Sequence, residues 1–310
     1  MKIMVSSPIR LDMFLLSKGC VLSRAKAQRA VKDGNVNVNG SAVFKPSFGL
    51  NPGDEVQINA KVEAGTDLMK TDLKLKILYE DADCMVIEKP RGITVHPGAG
   101  MQPGEVTMLN GLAFIFSKQS IPFSPSGALV HRLDNQTSGC LLIAKNSKAQ
   151  LKLRKQFHDR KVLKQYLALV AGNPTPAEAI IEADIGRNMK NRMKMSVFEA
   201  GKTRSAKTTY RTLSKTSDAA LLKIDIHSGR THQIRVHLKT VGHPVLGDRK
   251  YGDKYSENID KKYSIDSLCL HAWKLGFISP SGKQVEIRSC VPDDFKKTAD
   301  MLGLYLILDT

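Results

Sequence analysis

Cysteine is scarce in this chain of 310 residues, and long apolar runs are missing. The five cysteines are widely spaced and include no CxxC pair, which argues against a zinc finger or a disulfide framework and predicts reduced thiols. No run approaches the ~20 apolar residues of a membrane span, and the first twelve residues lack the apolar core of a signal peptide. We therefore expect a cytoplasmic protein with no membrane partner.

Basic residues are abundant, because 47 Lys and Arg stand against 30 Asp and Glu, giving a formal charge of +17. The excess is spread over the whole chain, and it attracts polyanions over a Debye length or more. RNA or DNA is therefore the leading class of partner, although charge alone leaves open a basic protein without one. The length allows two unequal domains with their own cores.

The first 62 residues are predicted to form a small α+β domain. Ser23 is suited to cap a basic helix that stops at Gly34. Valines then alternate with asparagines before Asn39-Gly40, a strong hairpin signal, and Val56 to Ile58 forms a last short strand.

This segment resembles the small RNA-binding module shared with a small-subunit ribosomal protein, in RLDMFLL, SRAKAQRAVKDGNVNVNG and KPSFGLNPGDEVQI. In that family the helix that begins at the serine lays its basic face on RNA phosphates. The resemblance therefore implies that Arg24, Lys26 and Arg29 bind RNA. A merely solvated basic face is the alternative.

Residues 63 to 75 are predicted to be a linker, and residues 76 to 310 a single catalytic domain. Strand-like runs recur there, among them ILYEDADCMVIEK, ALVHRL, GCLLIAK, KQYLALVAG, AKTTYRTL and AALLKIDIHSG. The helical exceptions are MLNGLAFIFSK and residues 147 to 158. This order predicts an α+β fold with a mixed, largely antiparallel sheet.

The string HRLDNQTSGCLLIAKN, residues 131 to 146, contains the most informative carboxylate. We expect a strand to lead into a tight polar turn, so that Asp134 projects from the strand end into a cleft, with Arg132 on the same face. Taken by itself, an aspartate beside a turn is more often an Asx-turn former than a catalyst.

The string HSGRTHQIRVHLKTVGHPVLGDRKYG, residues 227 to 252, is rich in hydrogen-bond donors suited to phosphates, ribose and a base edge. Zinc is the competing interpretation, because His227, His232 and His237 recur every five residues. That spacing fits neither one face of a strand nor one turn of a helix, so no metal site is expected.

Together these strings resemble the RluA-type pseudouridine synthases. The shared motifs run in order through YEDADCMVIEKPRGITVHPG, HRLDNQTSG with LLIAK, LKQYLALVAG, RMKM, GRTHQIRVHL with GHPVLGD and YG, and LHAW. The module at the front is similar to that of the subgroup acting on large-subunit ribosomal RNA. The resemblance implies isomerisation of specific uridines to pseudouridine, with base flipping and without cofactor or metal.

The matching motifs also imply roles for individual residues. Asp134 corresponds to the essential aspartate, and Tyr166 to the tyrosine that packs on the base and is thought to take the proton from its carbon. Arg235 corresponds to the arginine that pairs with the aspartate, and Arg132 to the one associated with displacing the flipped nucleotide. The other substrate-binding candidates are His131, Arg230, Thr231, His232 and Lys89. Lys89, with Pro90 and His96, is expected to support the active-site floor.

The sequence departs from the family pattern where Ser267 replaces a usual arginine three residues before LHAW, and where SPSGA stands ahead of LVHRLD. These departures bear on RNA affinity or target choice rather than on the four residues above. Two alternatives stay open, a non-catalytic RNA-binding protein on the same fold and an enzyme acting on transfer RNA. A monomer is expected.

Overall fold

A computed structural model describes residues 2–21, 24–59, 68–97, 101–102 and 104–306, and for residues 24–26 only the backbone. The chain divides into two compact units. The first comprises Met1–Asp72 with Leu109–Ala128, and the second comprises Leu73–Met108 with Leu129–Thr310. The sequence-based division at residues 62 and 75 stays a prediction.

The first unit combines short strands with helices. Its elements are β1 (Lys2–Met4), β2 (Ile9–Arg10), α1 (Leu11–Ser17), α2 (Arg24–Lys32), β3 (Val36–Val38), β4 (Ser41–Ala42), β5 (Gly49–Leu50), β6 (Glu55–Ile58), α3 (Met108–Lys118) and α4 (Pro125–Ala128). The strands order as β1-β6-β3-β4, and β2 pairs with β5. Phe14, Leu15, Val31 and Val56 lie in a core built within residues 5 to 58.

The predicted hairpin is confirmed. Asn39 and Gly40 both have positive φ, 51° and 82°, as a tight turn between β3 and β4 requires. Helix α2 ends before Gly34, whose φ of 73° matches a helix C-terminus. Ser23, the predicted cap, lies outside the described residues.

The second unit is built on one large sheet. Its elements are β7 (Lys76–Glu80), β8 (Cys84–Lys89), β9 (Ser138–Ala144), α5 (Ser147–His158), β10 (Leu163–Ala171), β11 (Glu178–Glu182), β12 (Gly186–Arg187), β13 (Met195–Ser196), β14 (Lys207–Lys215), β15 (Ala219–Ile226), α6 (Gln233–Thr240), α7 (Lys254–Lys262), β16 (Leu270–Ile278), β17 (Gln284–Arg288) and α8 (Asp293–Met301).

Nine described strands of this unit form one sheet in the order β11-β14-β15-β10-β16-β9-β8-β7, with β17 paired to β16, and β12 pairs with β13 in a separate two-stranded sheet. Strand β9 pairs with β16 in parallel, and the other described pairings in the sheet are antiparallel. The predicted α+β class with a mixed, largely antiparallel sheet is therefore confirmed. Strand β16 joins the half that carries β10 to the half that carries β9.

The sheet centre supplies the core, since β9 is buried along its whole length and β10 from Tyr166 onward. Gly139 fits only as glycine, because its φ is +113° and an added Cβ would lie 2.2 Å from the carbonyl oxygen of Ala272 on β16. This close approach fixes the start of β9, the strand that follows the loop of Asp134.

Two expectations about secondary structure were wrong. Residues 130 to 137 form a loop rather than a strand, so Asp134 precedes β9 instead of ending a strand. Four helices, the short α4 and α6, α7 and α8, were not predicted. In the described part of the chain, no helix combines the length and apolarity needed to cross a membrane.

Candidate active site

Lys89 holds the Asp134 loop in place. This lysine ends β8, is fully buried, and donates from Nζ to the carbonyl oxygens of Pro90, Asn135 and Thr137 at 2.8, 2.8 and 2.9 Å. An ammonium group has three N–H donors, and all three are used here. Lys89 therefore fixes the backbone on both sides of Asp134.

Asn135 ties the same loop to the turn after Lys89. Its side-chain nitrogen donates to the Gly92 carbonyl at 3.1 Å and to Thr94 Oγ1 at 2.8 Å, and its own carbonyl accepts from the Gly92 amide at 3.0 Å. The loop backbone thus has specific partners in place of a strand ladder.

Arg235 faces Asp134 from the first turn of α6. Its Nη1 lies 3.2 Å from Asp134 Oδ2, while Nε and Nη2 donate to Asp248 Oδ2 and Oδ1 at 2.7 and 2.8 Å. Burial acts to lower the pKa of Arg235, but the bonds to Asp248 and the charge of Asp134 outweigh it and raise that pKa. The arginine is therefore a fixed cation beside the Asp134 carboxylate.

His232 and Tyr251 lie beside the pair formed by Asp134 and Arg235. His232 caps α6 with a left-handed φ of 56°, its Nδ1 lies 2.7 Å from the Tyr251 hydroxyl, and its Nε2 lies 4.0 Å from Asp134 Oδ2. The Arg235 guanidinium carbon lies over the Tyr251 ring, 5.0 Å from the centre of the ring. Burial lowers the pKa of His232 to about 4, so the imidazole is neutral at neutral pH.

Tyr166 approaches from β10. It lies at an irregularity in the pairing of β10 with β16, between Gln165 and Leu167, where the local twist of a strand changes. The residue is 9% exposed, and burial together with the charge of Asp134 raises the pKa of its hydroxyl. The phenol is therefore protonated at neutral pH.

These groups line one open cleft. Asp134, Tyr166 and Arg235 all face it, and so do Arg132, Arg230, Thr231 and His232. Arg132 is exposed, with Nη1 3.5 Å from His96 Nε2, and Arg230 donates from Nε to the Ser205 carbonyl at 3.1 Å. The structure thus brings together seven of the nine residues proposed for catalysis and substrate binding.

His131 and Lys89 lie outside the lining of this cleft. His131 stacks on Phe157 with ring centres 4.7 Å apart, and its Nε2 accepts a hydrogen bond from the Leu142 amide at 2.9 Å. Burial lowers its pKa to about 3, so it remains neutral and can keep accepting that bond. Both residues position the loop and its neighbours, and their contact with substrate stays a prediction.

The proposed RNA-binding residues lie on α2. Arg29 is exposed, and its Nε lies 3.5 Å from Asp33 Oδ2. The side chains of Arg24 and Lys26 lie outside the described part of the structure. In the described ranges, no group of three or more His, Cys, Asp or Glu side chains is arranged to hold a metal ion.

The three histidines of the zinc alternative have separate partners. His227 Nε2 lies 3.0 Å from Thr209 Oγ1, and His237 Nδ1 lies 2.9 Å from Thr208 Oγ1. His232 turns instead to Tyr251, so the three rings do not converge.

Sequence reasoning missed two residues that build the site, Asp248 and Tyr251, which lie within the motifs GHPVLGD and YG but received no role of their own. Gln233 accepts at Oε1 from the Arg230 amide and the Ser228 hydroxyl, and donates from Nε2 to the Lys207 carbonyl, which fixes the turn before α6. The sequence signal that could have identified Asp248 is its place in the same donor-rich string as Arg235.

Comparison with protein families gives a match to the RNA pseudouridylate synthase family over residues 83–240 and to the S4 domain over residues 9–56. A Bacillus subtilis protein named as an uncharacterised RNA pseudouridine synthase is 38% identical over 94% of each chain. The chain belongs to the RNA pseudouridine synthase family. It is an isomerase of that family with an N-terminal S4 domain, which confirms the resemblance drawn from the motifs.

Two further relatives agree with this pseudouridine synthase assignment. The Vibrio cholerae ribosomal large subunit pseudouridine synthase D is 36% identical over 92% of this chain and 88% of its own. The structure of human RNA pseudouridylate synthase domain containing 4 superposes with a TM-score of 0.60 at 26% identity, covering 74% of this chain and 94% of that one.

Proposed function

We propose that this pseudouridine synthase modifies specific uridines of large-subunit ribosomal RNA in the cytoplasm, using Asp134 as its catalytic carboxylate. Two observations support the substrate. Relatives similar along nearly the whole chain carry the name ribosomal large subunit pseudouridine synthase D, and an S4 domain precedes the catalytic part. The net charge of +17 suits a polyanionic substrate.

Pseudouridine formation breaks the bond between ribose C1′ and uracil N1, turns the freed base and joins its C5 to C1′. The ribose becomes electron-poor when the first bond breaks, so an adjacent carboxylate stabilises it or adds to it, as in retaining glycosidases. Loss of a ribose proton to Asp134, giving a glycal, uses the same residue. The observation that carries this proposal is the position of Asp134 beside Tyr166 in one cleft, 3.2 Å from Arg235.

A nucleotide inside a helix presents no path from C1′ to a side chain, so the target uridine must leave its stack. The open cleft that Asp134, Tyr166 and Arg235 line is the place proposed for the extruded base. Arg132, exposed at the cleft, is the residue proposed to fill the space that the base leaves. Extrusion costs a few kcal/mol, which contacts elsewhere on the RNA must offset.

The isomerisation involves no net redox change and consumes no water, so the chemistry calls for no cofactor. We infer that Tyr166 packs on the base and takes part in the proton transfer from C5. Because the pKa of its hydroxyl is raised, the phenol is protonated at the start, so it can accept the C5 proton only while it passes its own hydroxyl proton to N1, the atom that gains a hydrogen in the product. A monomer is sufficient, since the residues proposed for the reaction come from one chain.

The test is a map of pseudouridines in cells that lack the protein and in the same cells supplied with the wild type or with Asp134→Asn. A carbodiimide adduct that blocks reverse transcription marks each pseudouridine. We expect one or a few large-subunit ribosomal sites to disappear and to return with the wild type only. Sites lost from transfer RNA instead would refute the substrate, and full restoration by Asp134→Asn would refute the role of the carboxylate.

A further inference from the structure

A second groove opens beside the catalytic cleft within the same unit. Both are lined by Arg132, Tyr166, Ile226, Gly229 and Arg230, so the two are continuous. The remaining wall of the groove comes from the end of α5, the turn into β10 and Arg204. We call this surface the α5 groove.

The α5 groove is strongly cationic. Its basic lining residues are Arg132, Arg154, Lys155, Arg160, Lys164, Arg204 and Arg230. Among the described lining residues the one carboxylate is Asp159, which already accepts from Lys155 Nζ at 2.8 Å and contacts His158 Nδ1 at 3.0 Å. A concave surface of one charge sign next to an active site concentrates a ligand of the opposite sign.

Lys164 is the least expected of these cations. It is 8% exposed, its Nζ lies 3.5 Å from the Ser228 carbonyl and 5.7 Å from the centre of the Phe157 ring, and no carboxylate of the described residues pairs with it. Burial, together with the charge of Arg160, lowers its pKa to about 8. Lys89, which is fully buried, has three carbonyl partners within 2.9 Å. The Lys164 ammonium therefore has N–H donors available for a ligand in the groove that the residue lines.

Arg160 provides an independent indication. It follows the end of α5 with a φ of 59°, the left-handed conformation in which a helix ends with glycine or asparagine. The Lys161 amide donates to the Gln156 carbonyl at 2.9 Å, which closes the helix end. A long side chain here costs backbone strain that glycine would avoid, and an observed strain of this kind points to a use for the side chain.

Lys164 and Tyr166 are two residues apart on β10, and both side chains line the groove. Tyr166 also lines the cleft proposed for the target base, whereas Lys164 lines only the groove. Lys164 therefore lies where an RNA strand would pass from the cleft into the groove. A phosphate next to the target nucleotide would come within reach of the Lys164 ammonium.

We propose that the α5 groove binds the sugar–phosphate backbone of the RNA strand on one side of the target uridine, with Lys164 and Arg160 as its phosphate contacts. This rests on the proposed function, since it assigns a path to the same RNA. The strand held there anchors the RNA while the uridine occupies the cleft, and its contacts offset part of the cost of extrusion.

The experiment measures the affinity of the full chain for unmodified large-subunit ribosomal RNA transcribed in vitro, over a range of KCl concentrations. Arg160→Gly and Lys164→Gln are each expected to weaken binding about tenfold. Each should also reduce the slope of log affinity against log salt by ~0.7, the value of one lost phosphate contact on a single strand. Neither variant should melt below the wild type, since glycine relieves strain and glutamine removes a buried charge.

Lys148→Gln and Lys161→Gln are the matched controls, because each removes one positive charge from an exposed residue near the groove that does not line it. Their slopes should equal that of the wild type. Equal slopes for all four variants, with the wild type still forming pseudouridine in the transcript, would overturn the groove and leave the proposed function intact. A wild type that binds the transcript without forming pseudouridine would overturn the proposed function, while the slopes still decide on the groove.

Discussion

Arg235 and Asp248 form a bidentate ion pair, with Nε and Nη2 of the arginine 2.7 and 2.8 Å from the two carboxylate oxygens. The Asp248 side chain is completely buried, and it also accepts from the amides of Lys250 and Tyr251. The pair fixes the plane of the guanidinium, so that the remaining nitrogen, Nη1, is directed at Asp134. We infer that Asp248 is a positioning residue that acts on the proposed catalytic carboxylate, Asp134, through Arg235.

Asp248→Asn should lower kcat about 100-fold with little change in KM, because Arg235 loses its orientation while the RNA contacts remain. It should also lower the free energy of unfolding by about 2 kcal/mol, the contribution of a charged hydrogen bond. Steady-state kinetics and urea titration measure both. Asp266→Asn is the control, since Asp266 and Arg249 form an exposed pair at 3.8 Å. A kcat equal to that of the control would remove the positioning role.

Tyr166→Phe keeps the ring and removes only the hydroxyl. If the hydroxyl takes part in the proton transfer from C5, kcat should fall by at least ~100-fold while RNA affinity stays near that of the wild type. Because the pKa of Tyr166 is raised above its ordinary value of ~10, wild-type kcat should show no rise from a phenolate between pH 7 and 9. Single-turnover rates across this range provide the measurement. A phenylalanine variant with wild-type kcat would leave ring packing as the role of the residue.

The buried histidines predict a loss of stability in mild acid. Burial lowers the pKa of His271 to about 4 against ~6.5 in the unfolded chain, so the unfolded state binds more protons below pH 6.5. The stabilisation is complete above pH 6.5 and is lost as pH falls toward 4, and His271 alone accounts for about 2 kcal/mol at pH 5. His131 and His232 act in the same direction.

Urea titrations at pH 7, 6 and 5 measure this slope. His271→Asn retains a polar group near Ser138, whose Oγ lies 2.9 Å from His271 Nδ1, but no longer titrates. The variant should be less stable than the wild type at pH 7 and should lose less stability between pH 7 and pH 5. An unchanged slope would show that His271 does not contribute to the acid sensitivity.

Neutralising the basic face of α2 should weaken RNA binding without affecting the reaction. With Arg24, Lys26 and Arg29 replaced together by Gln, the salt slope should fall by ~2, as expected for three phosphate contacts on a single strand, and kcat at saturating RNA should stay constant. Filter binding at several salt concentrations measures the slope.

The control for this triple variant replaces three exposed lysines of the same unit by Gln, namely Lys2, Lys18 and Lys45. It removes the same charge from other surfaces. If the two triple variants show the same slope, the charge of the unit rather than the α2 face attracts the RNA.

The sequence predicted the elements that follow simple patterns. Helix α5 was predicted with the same bounds that the structure has, because Asn146 caps it through the Ala149 amide and polar residues alternate with a narrow apolar stripe. Helix α6 was missed because the apolar residues Ile234, Val236 and Leu238 alternate with polar ones, a period of two that indicates a strand rather than a helix.

The wrong strand before Asp134 has a similar cause. Val130 and Leu133 are buried, and apolar residues alone do not distinguish a strand from a buried loop. The partners that replace a strand ladder, Lys89 and Asn135, are contacts between distant segments that periodicity cannot detect. The family motifs pointed to Asp134, Tyr166 and Arg235 without requiring the local structure, and these three residues line one cleft.

The place of β16 in the sheet sets an order of events during synthesis. This strand lies between β10, which carries Tyr166, and β9, which follows the Asp134 loop, and it begins only at Leu270. Until a ribosome has extended the nascent chain past that point, the two halves of the catalytic cleft have no strand to join them. A growing polypeptide therefore becomes active only after β16 has been synthesised, although β16 supplies none of the proposed catalytic residues.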